Sequence, residues 1–316
     1  MSVVATQRVD GDGRTRVSLS ELIALRARAV RVRVSPMQSR VARSGQQSSR
    51  LHGRGMDYAE SRVYQAGDDV RRLDWRLTAR SGKLHTKLFQ EDREGCLLIL
   101  LDTHDSMHFG TRVRFKSVQA ARAAASAAWY ASRAGERVGI MAFGAVEHLL
   151  RPQAGARGAL SICGALSDWD ASHEPNNAET NGSEPLSAAL TRAGRLLHGA
   201  SRVLVISDGI SCDDASRQRL IDLHRRASVN VLVVADALEL ALAPPGRYPM
   251  EHAGERSDVV LHSDRQRSDF QQVLGAGPAR LSGLAKSLGL RCSNIDTTVD
   301  AFDAVTTLLR ATGPSR

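Results

Sequence analysis

Four short apolar runs constrain the fold of this chain more than any other feature. They read "CLLILL" at 96–101, "RVGIMAF" at 137–143, "RVLVIS" at 202–207 and "NVLVVA" at 230–235. Runs of this length, rich in branched side chains, are typical of strands that are buried on both faces of a parallel sheet. Helical patterns over 115–134, 156–166, 186–197 and 215–227 separate them. The alternation predicts an α/β fold with a doubly wound, mainly parallel sheet.

The remaining segments extend this body at both ends. Toward the C-terminus, helical patterns at 270–288 and 301–309 flank a short predicted strand at 291–295. Near the N-terminus, "SLSELIALRARAV" places Ser18 and Glu21 at capping-box spacing before a helical pattern. We therefore expect three parts: a mobile N-terminal arm with a short helix over 1–48, a region packed on the sheet over 49–95, and the α/β domain over 96–312.

The region over 49–95 has a pattern of its own. Val70, Leu73 and Leu77 are spaced as on one face of a short amphipathic helix, which we expect to end at Gly82. "KLHTKLF" at 83–89 alternates as a strand does. Further along, the polar segment 168–185 is long for a loop inside a compact domain, so we expect it to be functional or mobile.

Composition narrows the classes of partner. With 42% hydrophobic and 24% charged residues, the 316-residue chain has the balance of a globular protein. Its formal net charge is +9, and nearly all of the positive charge is arginine. The basic segment 31–54 contains no aromatic residue that could stack on a base, so nucleic acid is not the favoured partner. No apolar run is long enough to insert into a membrane, and we expect a cytoplasmic protein with reduced cysteines.

Two of the four apolar runs end in an aspartate. "LLILLD" ends at Asp102 and "VLVISD" ends at Asp208. Ligands of doubly wound sheets bind where the strands end, so the pair marks the candidate site. A single aspartate at such a position is often only a helix cap or a turn residue. Two together favour a site, and their hard oxygen ligands suit Mg²⁺ or Mn²⁺.

The spacing of polar residues argues against several catalytic sites. The chain contains no phosphate-binding G-x-x-x-x-G-K-[ST] string and no H-E-x-x-H, G-x-S-x-G or S-x-x-K motif. A phosphatase of the haloacid dehalogenase type would carry D-x-D after its first strand. Asp102 and Asp105 are instead spaced D-x-x-D, which puts the second carboxylate out of register. We expect no catalytic nucleophile.

The order "DTHDSM", "VGIMAF", "VISDG" resembles a von Willebrand factor A domain. The resemblance implies a metal-ion-dependent adhesion site, built from D-x-S-x-S, a distant Thr and a later Asp. Asp102, Ser106 and Asp208 occupy three of these positions, and His104 replaces the middle Ser. Ser183 or Glu184 fills the Thr position. The implied cofactor is one Mg²⁺ or Mn²⁺ ion. His104 could bind this ion, or it could instead donate a hydrogen bond that holds Asp102.

A second motif narrows the resemblance. The segment "YQAGDDVRRLDWRLTAR" is similar to the signature of the bacterial family called domain of unknown function 58. The matching positions are Tyr64, Gly67, Asp68, Asp69, Arg71, Asp74, Trp75 and Arg80. These residues form either a surface that binds a partner or an ion-paired brace that docks 51–95 onto the sheet, and the brace is the favoured interpretation.

The resemblance implies a non-enzymatic adaptor. Similar proteins are often paired with AAA ATPases of the MoxR type, which are thought to remodel or activate client proteins. In an adhesion-type site, a carboxylate of the partner completes the coordination of the metal. Two rival functions remain: a metal-dependent phosphoesterase that uses Asp102 and Asp208, and nucleic-acid binding by the basic stretch 26–54.

Overall fold

The computed structural model describes residues 10–32, 56–65, 67–91, 95–145, 147–173, 184–197, 201–252 and 255–310. Its internal contacts divide the chain into two units, Met1–Gln38 with Gly95–Arg316, and Ser39–Glu94. The helices are α1 (Leu19–Arg31), α2 (Trp75–Ser81), α3 (Lys116–Arg133), α4 (Gly155–Ala171), α5 (Leu186–Leu196), α6 (Ser216–His224), α7 (Ala237–Leu240), α8 (Asp264–Leu274), α9 (Ala276–Ser287) and α10 (Ala301–Leu309). The strands are β1 (Met56–Val63), β2 (His85–Glu91), β3 (Cys96–Asp102), β4 (Arg137–Phe143), β5 (His148–Gln153), β6 (Ser201–Ser207), β7 (Ser228–Ala235), β8 (Gly246–His252), β9 (Glu255–Leu261) and β10 (Arg291–Asp296).

The larger unit is built on a six-stranded sheet in the order β10-β7-β6-β3-β4-β5. Every neighbouring pair is parallel except β4 and β5, which are antiparallel. Parallel neighbours require crossover connections, and α3, α5 and α6 lie in these connections. The predicted α/β fold with a doubly wound, mainly parallel sheet is confirmed.

The core lies on both faces of this sheet. Along β3, Leu97, Ile99 and Leu101 pack in one apolar cluster, and Leu98 and Leu100 pack in the other. Side chains of successive strand residues point to opposite faces, so a strand covered on both sides must be apolar at every position. On the first face, the buried alanines of α3 allow other helices to approach closely. The second face is covered by α5, α6 and α9.

The N-terminal helix belongs to the larger unit. Ser18 caps α1, as its spacing to Glu21 predicted, and Leu22 and Leu25 are buried in the same cluster as α3. The indole Nε1 of Trp129 donates a hydrogen bond of 3.0 Å to the carbonyl of Leu22. We expected a mobile arm over 1–48, but the described part, 10–32, is packed because its apolar face is covered by α3. Residues 1–9 and 33–48 lie outside the described residues.

Several elements differ from the expectation. The single helix predicted over 270–288 is two helices, α8 and α9, which meet at Gly275. The edge strand β5 and the antiparallel hairpin of β8 and β9 were not predicted. Both hairpin strands and β5 are partly exposed, so they lack the continuous apolar run that marks a buried strand. The predicted loop 168–185 starts later, because α4 continues to Ala171, and 174–183 lie outside the described residues.

The smaller unit contains an antiparallel pair, β1 and β2, with α2 between them in the chain. The predicted helix around Val70 and Leu77 is a 3-10 turn, Val70–Arg72, followed by α2. Asp74 interrupts the helix because its side chain caps the start of α2 by accepting from the amide of Leu77. Gly82 ends α2 with φ of 71°, as expected for a left-handed C-terminal residue.

Candidate functional site at the carboxyl edge of the sheet

Asp102 and Asp208 lie at the same edge of the sheet. Asp102 is the last residue of β3, and Asp208 directly follows β6, the parallel neighbour of β3. Both carboxylates are buried, with residue exposures of 2% and 0%. Buried carboxylates must be hydrogen-bonded or ion-paired, so the partners of each one decide what the site can do.

Asp102 is held by hydrogen bonds from two segments of the chain. Its Oδ2 accepts from the hydroxyl of Ser207 at 2.6 Å and from the hydroxyl of Ser211 at 3.0 Å. Its Oδ1 accepts from the backbone amide of His104 at 3.1 Å. Asp102 therefore ties the loop after β3 to the loop after β6.

The ring of His104 makes the shortest of these contacts. Its Nδ1 lies 2.5 Å from Oδ1 of Asp102. Burial disfavours the charged ring, but the hydrogen bond to Asp102 and the charges of Asp102 and Asp208 outweigh it and raise the pKa of His104. A Cβ at Gly144, where φ is 118°, would lie 2.6 Å from Nδ1, so only glycine leaves room for the ring. His104 thus acts as a hydrogen-bond partner of Asp102.

Ser106, Ser183 and Glu184 are the other expected ligands. Ser106 lies in the 3-10 turn Asp105–Met107, and its buried hydroxyl has no hydrogen-bond partner among the described residues. Ser183 lies outside the described residues. Glu184 is engaged elsewhere, since its Oε2 accepts from Nη2 of Arg192 at 2.6 Å. Which of these two fills the distant Thr position therefore stays a prediction.

Asp208 is paired with a buried lysine that the sequence reasoning missed. Nζ of Lys116, the first residue of α3, lies 2.9 Å from Oδ2 of Asp208 and 2.6 Å from Oε1 of Glu239. The three side chains are exposed by no more than 3%. Burial opposes the charge of Lys116, but the attraction of the two carboxylates and their hydrogen bonds raise the pKa of its ammonium above the ordinary value. The ammonium therefore stays charged at neutral pH.

The ion pair between Lys116 and Asp208 argues against a divalent cation at this edge. Both oxygens of Asp102 accept hydrogen bonds, and Asp208 is neutralised by Lys116. Among the residues that the structure describes, no group of three or more His, Cys, Asp and Glu side chains is placed to hold a metal ion. A carboxylate oxygen that accepts a hydrogen bond keeps a further lone pair, so the charge of Lys116 opposes a cation more than the hydrogen bonds of Asp102 do.

A small cavity beside Asp102 is lined by side chains that the sequence analysis did not select. The rings of His108 and His173 stack in it, with centroids 3.5 Å apart and planes within 4°. His148 stacks on Trp169 at 5.0 Å along the same cavity. These histidines come from separate segments, so no local motif could have identified them.

The signature residues of the smaller unit have mostly local structural roles. Asp68 accepts from the amide of Gln65 and pairs with Arg62 at 2.7 Å, and Asp69 caps the 3-10 turn through the amide of Arg71. Asp74 caps α2 and also accepts from the hydroxyl of Ser61. Gly67 has φ of 110°, and the backbone amide of Tyr64 donates to the carbonyl of Leu84.

Trp75 is the large hydrophobic side chain of the signature that is exposed, at 67%. It lines a groove together with Arg76, Arg80 and Lys87. An exposed indole among cations is unusual for a residue that only stabilises the fold, since large aromatic side chains are normally buried.

A family model described as protein of unknown function DUF58 matches residues 60–277. The chain belongs to the DUF58 family. The match spans both the signature segment and the two strand-end aspartates, so the resemblance seen in the sequence is confirmed.

Curated relatives of this DUF58 protein include the uncharacterized proteins Rv1480 of Mycobacterium tuberculosis (strain H37Rv) and Mb1516 of Mycobacterium bovis. Each is 40% identical over 91 residues. The match covers 29% of this chain and 29% of the relative, so the chain spans less than a third of the length of the curated relatives it matches.

Solved structures similar to this DUF58 protein include two at 14% identity. The conserved hypothetical protein BatB from Bacteroides thetaiotaomicron has a TM-score of 0.41, with 69% of this chain and 97% of that chain covered. The von Willebrand factor type A protein from Catenulispora acidiphila has a TM-score of 0.34, with 62% and 44% covered. Because these TM-scores are low, the fold assignment rests on the strand order of the sheet and not on similarity to these structures. No helix within the described ranges combines the length and the apolar character needed to cross a membrane.

Proposed function

We propose that this DUF58 protein is a non-enzymatic interaction module that works with a MoxR-type AAA ATPase on client proteins in the cytoplasm. The partner would dock on the carboxyl edge of the sheet, around Asp102, Ser106 and Asp208. The observation that carries the proposal is the pair of loops tied together by the hydrogen bonds of Asp102.

These loops present side chains to solvent on a fixed backbone. Asp105, in the loop after β3, has a side chain that is 73% exposed, and Ile210, in the loop after β6, is 52% exposed. A Cβ at Gly209 would lie 2.3 Å from the carbonyl oxygen of Gly277, so the second loop also packs closely on α9. Loops that are tied together by hydrogen bonds and expose both acidic and apolar groups suit recognition of a partner, because little ordering is needed on binding.

The contacts of the two aspartates favour docking over phosphoester hydrolysis. A metal-dependent phosphoesterase needs carboxylates that are open to metal or substrate. Asp102 accepts hydrogen bonds at both oxygens, and Asp208 is ion-paired with Lys116. Neither carboxylate is therefore available to act on a bound substrate in this arrangement.

The groove around Trp75 provides a second candidate contact. Its aromatic ring and the cations Arg76, Arg80 and Lys87 complement an acidic segment of a partner. This supports the partner-binding interpretation of the signature over the brace. Because Trp75 is exposed, its removal is expected to affect capture of a partner more than folding.

The test is capture of the MoxR-type ATPase from the same genome by purified full-length protein. Ile210→Lys at the sheet edge is compared with Leu160→Lys on α4, where the replaced side chain is 41% exposed. We expect the first variant to lose capture and the second to retain it. Absence of capture by the wild type, or equal capture by both variants, would refute docking at this edge. Capture by the wild type and by Asp102→Ala, each measured with Mg²⁺ and with a chelator, tests whether docking depends on a metal ion.

A further inference from the structure

We propose that the ammonium group of Lys116 replaces the divalent cation at this edge of the sheet. The adhesion-type site of this chain would then be a cation site whose positive charge is supplied by the protein itself. The inference concerns the charge balance of the site and does not depend on which partner docks there.

The ammonium group lies against the carboxylate that the adhesion-type pattern assigns to the metal. Nζ of Lys116 lies between Oδ2 of Asp208 and Oε1 of Glu239, at 2.9 and 2.6 Å. Asp208 is the later Asp of the adhesion-type pattern. The lysine therefore donates its hydrogen bond to the carboxylate that would bind the metal. The ring centroid of Phe109 is 5.7 Å from Nζ, which places an aromatic ring beside the cation as well.

The lysine is buried together with both of its carboxylate partners. Lys116 and Asp208 have side-chain exposures of 1% and 0%, and that of Glu239 is 3%. A lysine is almost never fully buried unless it is paired, and removing it would leave two buried carboxylates without a counter-charge. The lysine is therefore a required part of the site, and a metal ion could enter only by displacing it.

The donors of Ser207 and Ser211 are already directed at Asp102. The hydroxyls of Ser207 and Ser211 donate hydrogen bonds to Asp102, so this carboxylate is stabilised by protein donors and not by a metal ion. His104 places a ring nitrogen against the same carboxylate. Mg²⁺ gives up its hydration shell reluctantly, and it gains little at a site where the carboxylates are already compensated.

The consequence is a different mode of recognition. A partner carboxylate would find no open metal coordination position at this edge. Recognition would rest on direct contacts with exposed groups of the two loops, such as Asp105 and Ile210, and would be the same in Mg²⁺ and in a chelator.

The experiment measures binding of Mn²⁺ to the full-length chain by calorimetry and by electron paramagnetic resonance of the free ion. The proteins are the wild type, Lys116→Met and the control Lys286→Met, which removes one positive charge from an exposed position on α9. We expect no detectable Mn²⁺ binding at this edge in the wild type or the control. In Lys116→Met we expect binding with an association constant at least about tenfold above the detection limit of the same titration. Adding Asp208→Asn to Lys116→Met should abolish the gain.

Two outcomes overturn the proposal. One is Mn²⁺ binding by the wild type that Asp208→Asn abolishes. The other is a folded Lys116→Met protein that gains no Mn²⁺ affinity. If Lys116→Met does not fold, the wild-type measurement with Asp208→Asn decides alone, and recovery of folding by added Mg²⁺ or Mn²⁺ counts in favour. None of these readouts uses capture of the ATPase, so failure of the proposed function is distinguishable from failure of this inference.

Discussion

Replacing Glu136 by alanine should destabilise the larger unit strongly. Glu136 lies directly before β4, and both of its carboxylate oxygens accept from Nη2 of Arg202 in β6, at 2.7 and 2.6 Å. Nη1 of the same guanidinium donates to the carbonyl of Leu309 in α10 at 2.9 Å. The side chains of the pair are only 3% and 8% exposed, so Glu136→Ala leaves a buried cation with a single carbonyl as its hydrogen-bond partner among the described residues.

The magnitude follows from these contacts. Removing one partner of a buried ion pair costs about 3–5 kcal/mol, because the other charge stays buried without compensation. Total stabilities of about 5–15 kcal/mol make this a large fraction. At about 2–4 °C for each kcal/mol in a domain of this size, the melting temperature should fall by roughly 10 °C. Replacing both partners, as in Glu136→Leu with Arg202→Met, should cost far less than the sum of the single changes.

Urea unfolding followed by circular dichroism measures each term. Four proteins form the cycle: the wild type, Glu136→Leu, Arg202→Met and the double variant, with Glu136→Ala as the truncation. A loss below about 1 kcal/mol for Glu136→Ala, the value of an exposed ion pair, would refute the reasoning. Equal slopes of free energy against urea concentration are the control that the unfolded state has not changed.

Four further results are expected. Leu22→Ala should lower the free energy of unfolding by about 2–5 kcal/mol in urea, because Leu22 is 1% exposed in the core shared with α3; a loss near zero would mean that α1 is detached in solution. The pKa of His104 lies above its ordinary value of 6.5, so the stabilisation by its charged ring is complete below pH 6.5 and is lost as the pH rises through the raised pKa. The difference in free energy of unfolding between the wild type and His104→Gln should therefore shrink over the same rise in pH. Gly144→Ala should destabilise by about 1–3 kcal/mol and shift the His104 ring resonances, because both its φ of 118° and the ring resist a Cβ. Trp75→Ala should change stability by no more than about 0.5 kcal/mol while lowering ATPase capture, and unchanged capture would leave the groove without a role.

The sequence predicted the central sheet well because its strands are buried on both faces. The run that begins at Arg137 is a strand of the same extent, and the run that begins at Cys96 is a strand one residue longer. The partly exposed strands β5, β8 and β9 were missed, since their side chains carry no continuous apolar signal. Packing of α1 was missed for another reason: a short amphipathic helix does not reveal whether its apolar face is covered.

The candidate site was predicted only in part. The positions of Asp102 and Asp208 at one edge were predicted, because they mark the ends of β3 and β6, which are parallel neighbours in the sheet. Their partners could not be predicted in the same way. A lysine in the first turn of a predicted helix is ordinarily solvent-exposed, and nothing local marks Lys116 as buried.

The charge of this site is decided by residues that are distant in the sequence. Lys116 is 92 residues from Asp208 and 123 residues from Glu239, and the fold alone brings them within hydrogen-bond distance. A D-x-S-x-S pattern specifies how a loop leaves a strand, whereas metal affinity depends on whether any cation of the protein already reaches the carboxylates. Under the proposal made above, one buried lysine would keep the loop geometry of an adhesion-type site without a metal ion. His104 fits this proposal because its ring nitrogen contacts the carboxylate of Asp102.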